Sequence, residues 1–142
     1  MKTQQNKFLV YIFLSILSQS ICCSTNVNAQ TLPPKEFKQA LEKKHGILID
    51  VRAPDEFAAE HIVGSININV HTPDFRARID SLDRRKTYFV YCRSGIRSAE
   101  AMRKMNAAGF KNIYNLLGGM NAWKEAGLEV ITDGRLNVLR TK

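Results

Sequence analysis

The feature that most constrains the fold is an alternation between short apolar runs and amphipathic stretches. Ile47-Leu48-Ile49-Asp50-Val51, Ile66 to Val70, Thr87-Tyr88-Phe89-Val90-Tyr91 and Asn112 to Leu117 are rich in apolar, aromatic or β-branched residues and read as strands. Between them, Phe37, Ala40, Leu41 and Lys44 recur at helical spacing, which predicts a helix over 34–45 stopped by Gly46. Residues Ala53 to His61 also read as helical. Thr72-Pro73 is expected to open a helix through Leu82, with Pro73 at its first position. Arg97 to Ala108 places Ala101, Met102, Met105 and Ala108 on one face and stops at Gly109, while Gly118-Gly119 turns into a short helix from Met120 to Ala126, closed by Gly127. Strands that alternate with helices pack as a parallel sheet covered on both faces, so the fold class is α/β.

The first residues have a different character. Lys2 and Lys7 precede an apolar run from Phe8 to Leu17, and Val27-Asn28-Ala29 offers small residues at the positions signal peptidase reads, so residues 1–29 are expected to be a signal peptide cut after Ala29. Two other readings stand beside it. A permanent anchor would need the apolar run extended through Ser15, Ser18, Gln19 and Ser20, which are poor residues for a span of roughly 20 apolar positions. A lipoprotein would acylate Cys22 or Cys23, but Ile21 and Cys22 are not the small residues that normally precede that cut. Removing 1–29 from 142 residues leaves 113, Gln30 to Lys142, enough for one domain with one core. The expected locale is the periplasm or the exterior, with no membrane anchor after cleavage.

Loss of Lys2 and Lys7 leaves 19 Lys plus Arg against 13 Asp plus Glu, a net +6. These cations are scattered, and the cluster Arg84-Arg85-Lys86 lies at an expected turn, so a solvated surface explains them better than a nucleic-acid interface. A basic site that draws small anions fits the same balance. The mature chain keeps Cys92 alone, so it cannot close an internal disulfide. An inert core cysteine is the ordinary reading of such a residue, and its neighbours decide against it.

Cys92-Arg93-Ser94-Gly95-Ile96-Arg97-Ser98 falls between an expected strand and an expected helix. There the free N–H groups and the positive end of the helix converge, which favours bound anions and depresses a thiol's pKa. Arg93 and Arg97 would favour the thiolate further, and Gly95 lets the backbone curl so that several N–H groups face one point. The thiolate is the nucleophilic form.

Four segments together resemble the rhodanese family. Asp50-Val51-Arg52 with Glu56-Phe57 is similar to its D-V-R-x-x-x-E-F stretch, and His61-Ile62-x-Gly64-Ser65-Ile66 to its H-I-x-G-A-I stretch. Tyr91 to Ser98 resembles its active-site loop, and Gly118-Gly119-Met120-Asn121-Ala122-Trp123 its closing G-G-x-x-x-W motif. They occur in order and cover most of residues 35–130. The resemblance implies a five-stranded parallel sheet with helices on both faces, and a two-step transfer in which Cys92 takes sulfane sulfur from thiosulfate or a similar donor. A persulfide then passes it to cyanide, a thiol or a protein thiol. Arg93, Ser94, Gly95, Ile96 and Arg97 would form the substrate-binding loop, and no cofactor is implied. Glu60, Val63 and Ser65 depart from the family's usual Gly, Pro and Ala.

Two rivals are weighed against this reading. Phosphatases and arsenate reductases space cysteine and arginine as C-x5-R, whereas Cys92 and Arg97 are C-x4-R, a tighter cradle suited to a single sulfur. A persulfide carrier or redox-sensing module needs the same activated thiolate and differs only in turnover. His45, His61 and His71 show no metal-ligand spacing, so no metal site is expected. Asp50, Arg52, Glu56 and His61 read as structural support, with Asp50 and Arg52 bracing the sheet end as an ion pair or loop, and Glu56 a partner for Arg52. Trp123 reads as core, and the chain is expected to be a monomer.

Overall fold

The computed structural model describes residues 28–132 and 135–137. In chain order the elements are β1 (Asn28–Leu32), α1 (Pro34–Lys44), β2 (Ile47–Asp50), α2 (Pro54–Ala59), β3 (Glu60–Ile62), β4 (Ile66–Asn67) and α3 (Phe75–Asp80). They continue through β5 (Tyr88–Tyr91), α4 (Ile96–Ala107), β6 (Asn112–Leu116), α5 (Gly119–Glu125), β7 (Val130–Thr132) and β8 (Arg135–Asn137). Five strands form a parallel sheet in the order β1-β6-β5-β2-β4. This is the expected α/β architecture, with β5 central and Ile49 beside Val90.

Because side chains alternate across a strand, each strand feeds two cores. Ile49, Tyr88, Val90 and Ile113 face one side, where Phe75 and Ile79 of α3 and Ala101 and Met105 of α4 cover them. Leu48, Phe89, Tyr91, Tyr114 and Leu116 face the other, under Phe37 of α1 and Met120 and Trp123 of α5. Trp123 is core, as expected, and its Nε1–H donates to the Glu129 carbonyl at 2.9 Å.

Several boundaries differ from the sequence reading. The helix expected from Ala53 to His61 ends at Ala59, and His61 lies in β3. There Ile62 N–H donates to the Tyr91 hydroxyl at 3.0 Å, and the Glu60 carbonyl accepts from Arg52 Nη2 at 2.6 Å. These bonds, with antiparallel pairing to β7, draw the chain out of the helix. The strand expected over Ile66 to Val70 ends at Asn67, since beyond it Ile68 and Val70 N–H groups bond to the Asp50 and Val51 carbonyls across a diverging loop. Pro73 does not start a helix; α3 begins at Phe75 behind Asp74. The first helix closes on His45 in the left-handed region at φ 47°, and Gly46 is required for space instead, because a Cβ there would collide with the Phe89 ring.

β1 was not expected as a strand. It adds a fifth, edge position through pairing with β6, from Asn28 opposite Asn112 to Leu32 opposite Leu116. Its first two residues belong to the expected signal peptide, and the rest of that segment lies outside the described residues. β3, β7 and β8 form a second, antiparallel sheet. Among the described residues no helix is long and apolar enough to cross a membrane.

Candidate functional site

Cys92 follows the last residue of the central strand, and Gly95, at φ 94°, turns the chain into α4. The loop is shaped from behind by the Gly118-Gly119 turn. Both glycines have positive φ, and a Cβ on Gly119 would collide with the Cys92 carbonyl oxygen and sit 2.7 Å from the Arg93 carbonyl carbon. That close approach lets Met120 N–H donate to the Cys92 carbonyl at 2.8 Å and Asn121 N–H to the Arg93 carbonyl at 3.1 Å. With those carbonyls tied outward to α5, the following N–H groups turn inward to the sulfur.

Gly95 N–H reaches Sγ at 3.1 Å, and the Ser98 hydroxyl, which also donates to the Gly95 carbonyl at 3.1 Å, lies 3.5 Å from Sγ. Burial pushes the Cys92 thiol up. Hydrogen bonds from the Ser98 hydroxyl and from the Ser98, Ser94 and Gly95 N–H groups outweigh it, and the net shift is downward. The residue has 0 % exposed surface and packs with the apolar core of the α4 face. Its sulfur therefore faces the ring of donors that the sequence implied but is closed to solvent, so a reagent reaches it only when neighbouring loop groups move.

The two arginines divide. Arg97 forms a bidentate pair with Glu56, at 2.6 and 2.9 Å, and the Cys92 charge adds to the effect of Glu56 in raising the guanidinium's pKa. Glu56 is therefore the partner of Arg97, not of Arg52. The Arg97 hydrogen bond holds the Glu56 carboxyl at about 2, well below the usual carboxylate range. The same carboxylate accepts the Ala53 N–H at 3.3 Å and closes the first turn of α2. Arg93 is exposed and lines a cleft on the α5 side of the loop, with no ion pair or side-chain hydrogen bond among the described residues. Ser94 is exposed, and Ile96 is 77 % exposed on the outer side of the loop.

Asp50 and Arg52 form a separate buried cluster. Asp50 accepts from Arg52 N–H at 2.9 Å and from the Arg52 guanidinium at 2.7 to 3.0 Å, and both side chains are buried. The pair sits at the carboxyl end of β2. Burial and the Asp50 charge push the Tyr91 phenol far up, so it stays neutral, bonded to Ser65 Oγ at 2.9 Å. His61 Nδ1 lies 2.8 Å from the Phe57 carbonyl, and its ring stacks on Phe57 at 4.1 Å.

Sequence reasoning gave Ser98 no role beyond its place in the loop motif, and its buried hydroxyl turns out to face the sulfur. The only signal was its position six residues after Cys92, one helical turn into α4. The part played by Gly118-Gly119 as a buttress was also missed; two adjacent glycines before a helix were a cue to a turn but not to what the turn touches.

A family model described as a rhodanese-like domain matches residues 33–126. The protein slr1261 of Synechocystis is 37 % identical over 110 residues, 76 % of this chain and 59 % of that protein, so the chain spans less than two thirds of it. YqhL of Bacillus subtilis is 32 % identical over 116 residues, covering 82 % of this chain and 84 % of its own. Thiosulfate sulfurtransferase GlpE of Coxiella burnetii is 29 % identical over 89 residues, covering 63 % and 81 %. Among solved structures, a rhodanese-related protein from Thermoplasma volcanium superposes with a TM-score of 0.63 at 28 % identity, over 72 % of this chain and 97 % of that one. With more than half of its length matched and the fold shared, this chain belongs to the rhodanese-like domain family, a membership that supports activity of the sulfurtransferase type.

Proposed function

We propose that the chain is a sulfurtransferase that moves sulfane sulfur from thiosulfate or a similar donor to a thiophilic acceptor through a persulfide on Cys92. The observation that carries the reading is the convergence of N–H and hydroxyl donors on one sulfur, which lowers the thiol's pKa despite its burial. In the first step the Cys92 thiolate attacks the outer sulfur of thiosulfate. The new S–S bond forms as the bond to the sulfonate sulfur breaks, and that electron pair leaves with sulfite. In the second step a nucleophile, cyanide or a thiolate, attacks the terminal sulfur of the persulfide and returns the electron pair to Cys92 as thiolate. Splitting the transfer in two replaces one difficult displacement by two easier ones. Donors arranged in advance around Sγ stabilise the negative charge without reorganisation.

Arg97, held by Glu56 beside the cradle, and Arg93 are the cations offered to the donor's sulfonate. Ser94, Gly95 and Ile96 supply the backbone of the loop. The name of GlpE supports thiosulfate as a donor class. The zero exposure of Cys92 favours a second reading, in which the domain holds its persulfide sheltered for a partner and turns over slowly. We further propose that residues 1–29 are removed on export and that residues 30–142 act in the periplasm or outside the cell, as a monomer.

Intact-mass measurement after thiosulfate treatment tests the mechanism: wild type gains one sulfur and Cys92→Ala gains none. No adduct from any sulfane donor would sink the proposal. Thiocyanate formation at a sustained rate separates the enzyme from the carrier, which would be persulfidated once and stop.

A further inference from the structure

Four large apolar side chains are exposed among the described residues, and two of them, Ile96 and Leu117, border the sulfur loop. Ile96 is 77 % exposed and Leu117 55 %. Neither position needs an apolar side chain for the fold. Ile96 serves as the first residue of α4, and Leu117 is held by its backbone, whose N–H donates to the Leu32 carbonyl at 2.9 Å. The two are also neighbours in space. A Cβ on Gly95 would lie 3.3 Å from the Leu116 carbonyl oxygen and 3.4 Å from the Gly118 nitrogen, the atoms on either side of Leu117. The Leu117 backbone therefore packs on the loop at the residue just before Ile96.

Arg93 belongs to the same rim. Its carbonyl accepts the Asn121 N–H at 3.1 Å, which ties it to the segment that follows Leu117, and its side chain is exposed with no ion pair among the described residues. The enclosed sulfur is thus ringed by two apolar side chains and one cation without a carboxylate. Cyanide or a thiol of a few atoms would leave that apolar surface in water, whereas a polypeptide covers it. Charge selects the kind of polypeptide. The chain carries a net +8, and a second copy docked through a two-fold axis at this rim would set Arg93 against Arg93. An acidic partner matches the rim where a copy repels it.

On the sulfur-transfer reading, we propose that this rim docks the protein that accepts the sulfur, through a segment whose cysteine lies between an apolar side chain and a carboxylate. The apolar side chain covers Ile96 and Leu117, and the carboxylate pairs with Arg93 after sulfite has left. The partner's thiolate then bonds to the terminal sulfur of the Cys92 persulfide. The bond from that sulfur to Cys92 Sγ breaks, and its electron pair returns to Cys92 as thiolate, so no oxidant or reductant enters.

The test loads the persulfide on the full chain with thiosulfate, removes the excess donor and follows discharge by intact mass. The acceptors are cyanide, a ten-residue peptide with one cysteine between leucine and glutamate, and the same peptide with serine and lysine in those two places. The leucine–glutamate peptide is expected to discharge the persulfide about tenfold faster than the serine–lysine peptide. Leu117→Ser is expected to cut that ratio to about threefold or less while cyanide discharges at the wild-type rate, and Ile96→Ser to cut the same ratio. Equal rates for the two peptides, or a cyanide rate that falls with the peptide rate in Leu117→Ser, overturn the docking surface. Failure of the sulfur-transfer reading looks different, because no persulfide forms at all. The rim is then read on the Cys92→Ser chain by fluorescence anisotropy of the leucine–glutamate peptide with serine for its cysteine. Saturable binding weakened by Leu117→Ser supports the surface, and none up to about 1 mM overturns it. Self-association of the wild type that Leu117→Ser abolishes gives the rim to a second copy and overturns it as well.

Discussion

Asp50 and Cys92 lie at the carboxyl ends of neighbouring strands, one closing β2 and the other following β5, and both are fully buried. Around Asp50 every group has its match: the carboxylate takes the Arg52 backbone and guanidinium, the guanidinium also takes the Glu60 carbonyl, and Tyr91 completes the cluster. Around Cys92 donors accumulate on one atom, and the group that would complete the cradle is the thiolate's own negative charge. Buried polar clusters that balance themselves hold a fold together, while one with donors in excess is prepared for a charge that chemistry supplies. Burial does not distinguish the two clusters; the count of donors against acceptors does.

The largest effect expected from this contrast is on turnover. Cys92→Ser removes the nucleophile and should lower thiocyanate formation at least about 1,000-fold while leaving the denaturation midpoint near that of wild type. Residual activity close to wild type would show that another group carries the sulfur. Asp50→Ala should do the reverse. It strands the buried Arg52 guanidinium, a loss of about 3 to 5 kcal/mol by the usual cost of breaking a buried pair, read as a lower urea midpoint. If Asp50→Ala instead left stability untouched and abolished transfer in folded protein, the contrast between the clusters would fail.

A smaller change sharpens the role of Ser98. Ser98→Ala removes a donor to the thiolate, so the pH midpoint for alkylation of Cys92 should move upward and transfer at neutral pH should slow by about tenfold, the scale of a hydrogen bond to a charged group. An unchanged midpoint would assign the lowered pKa to the backbone N–H groups alone. The smallest effect concerns Glu56, whose pKa is about 2 in the folded chain against an ordinary 4.5. A depressed carboxyl contributes stability that is present above the unfolded value and lost as pH falls through the window from about 4.5 to about 2. Because the pair is partly exposed, solvent screening keeps the contribution small. Comparison of acid denaturation in wild type and Glu56→Gln should show a component in that window in the wild type alone.

The loop was legible because its chemistry is local. Cys92, Gly95 and the start of α4 lie within a few residues of one another, and the change from a β-branched run to helical periodicity announces the turn. Glu56 was legible as a supporting residue but not as the partner of Arg97, since 41 residues separate them and Arg52 is nearer in sequence. β7 and β8 escaped notice because strands of three residues each are too short to show an alternation. β1 escaped because its residues overlap the boundary of the expected signal peptide, and an edge strand gains its identity from the neighbour it pairs with.

The sequence by itself determined the alternation of elements, the parallel sheet and the loop that presents Cys92, all of which follow from residue spacing over one or two turns of chain. Only the tertiary structure decided that α5 ties down the loop carbonyls, that Glu56 claims Arg97 while Arg93 has no ion pair among the described residues, and that the thiol is enclosed. Those outcomes depend on which distant groups meet. Hydrogen bonds and ion pairs are short-ranged, so a spacing along the chain cannot state which partner a side chain will find.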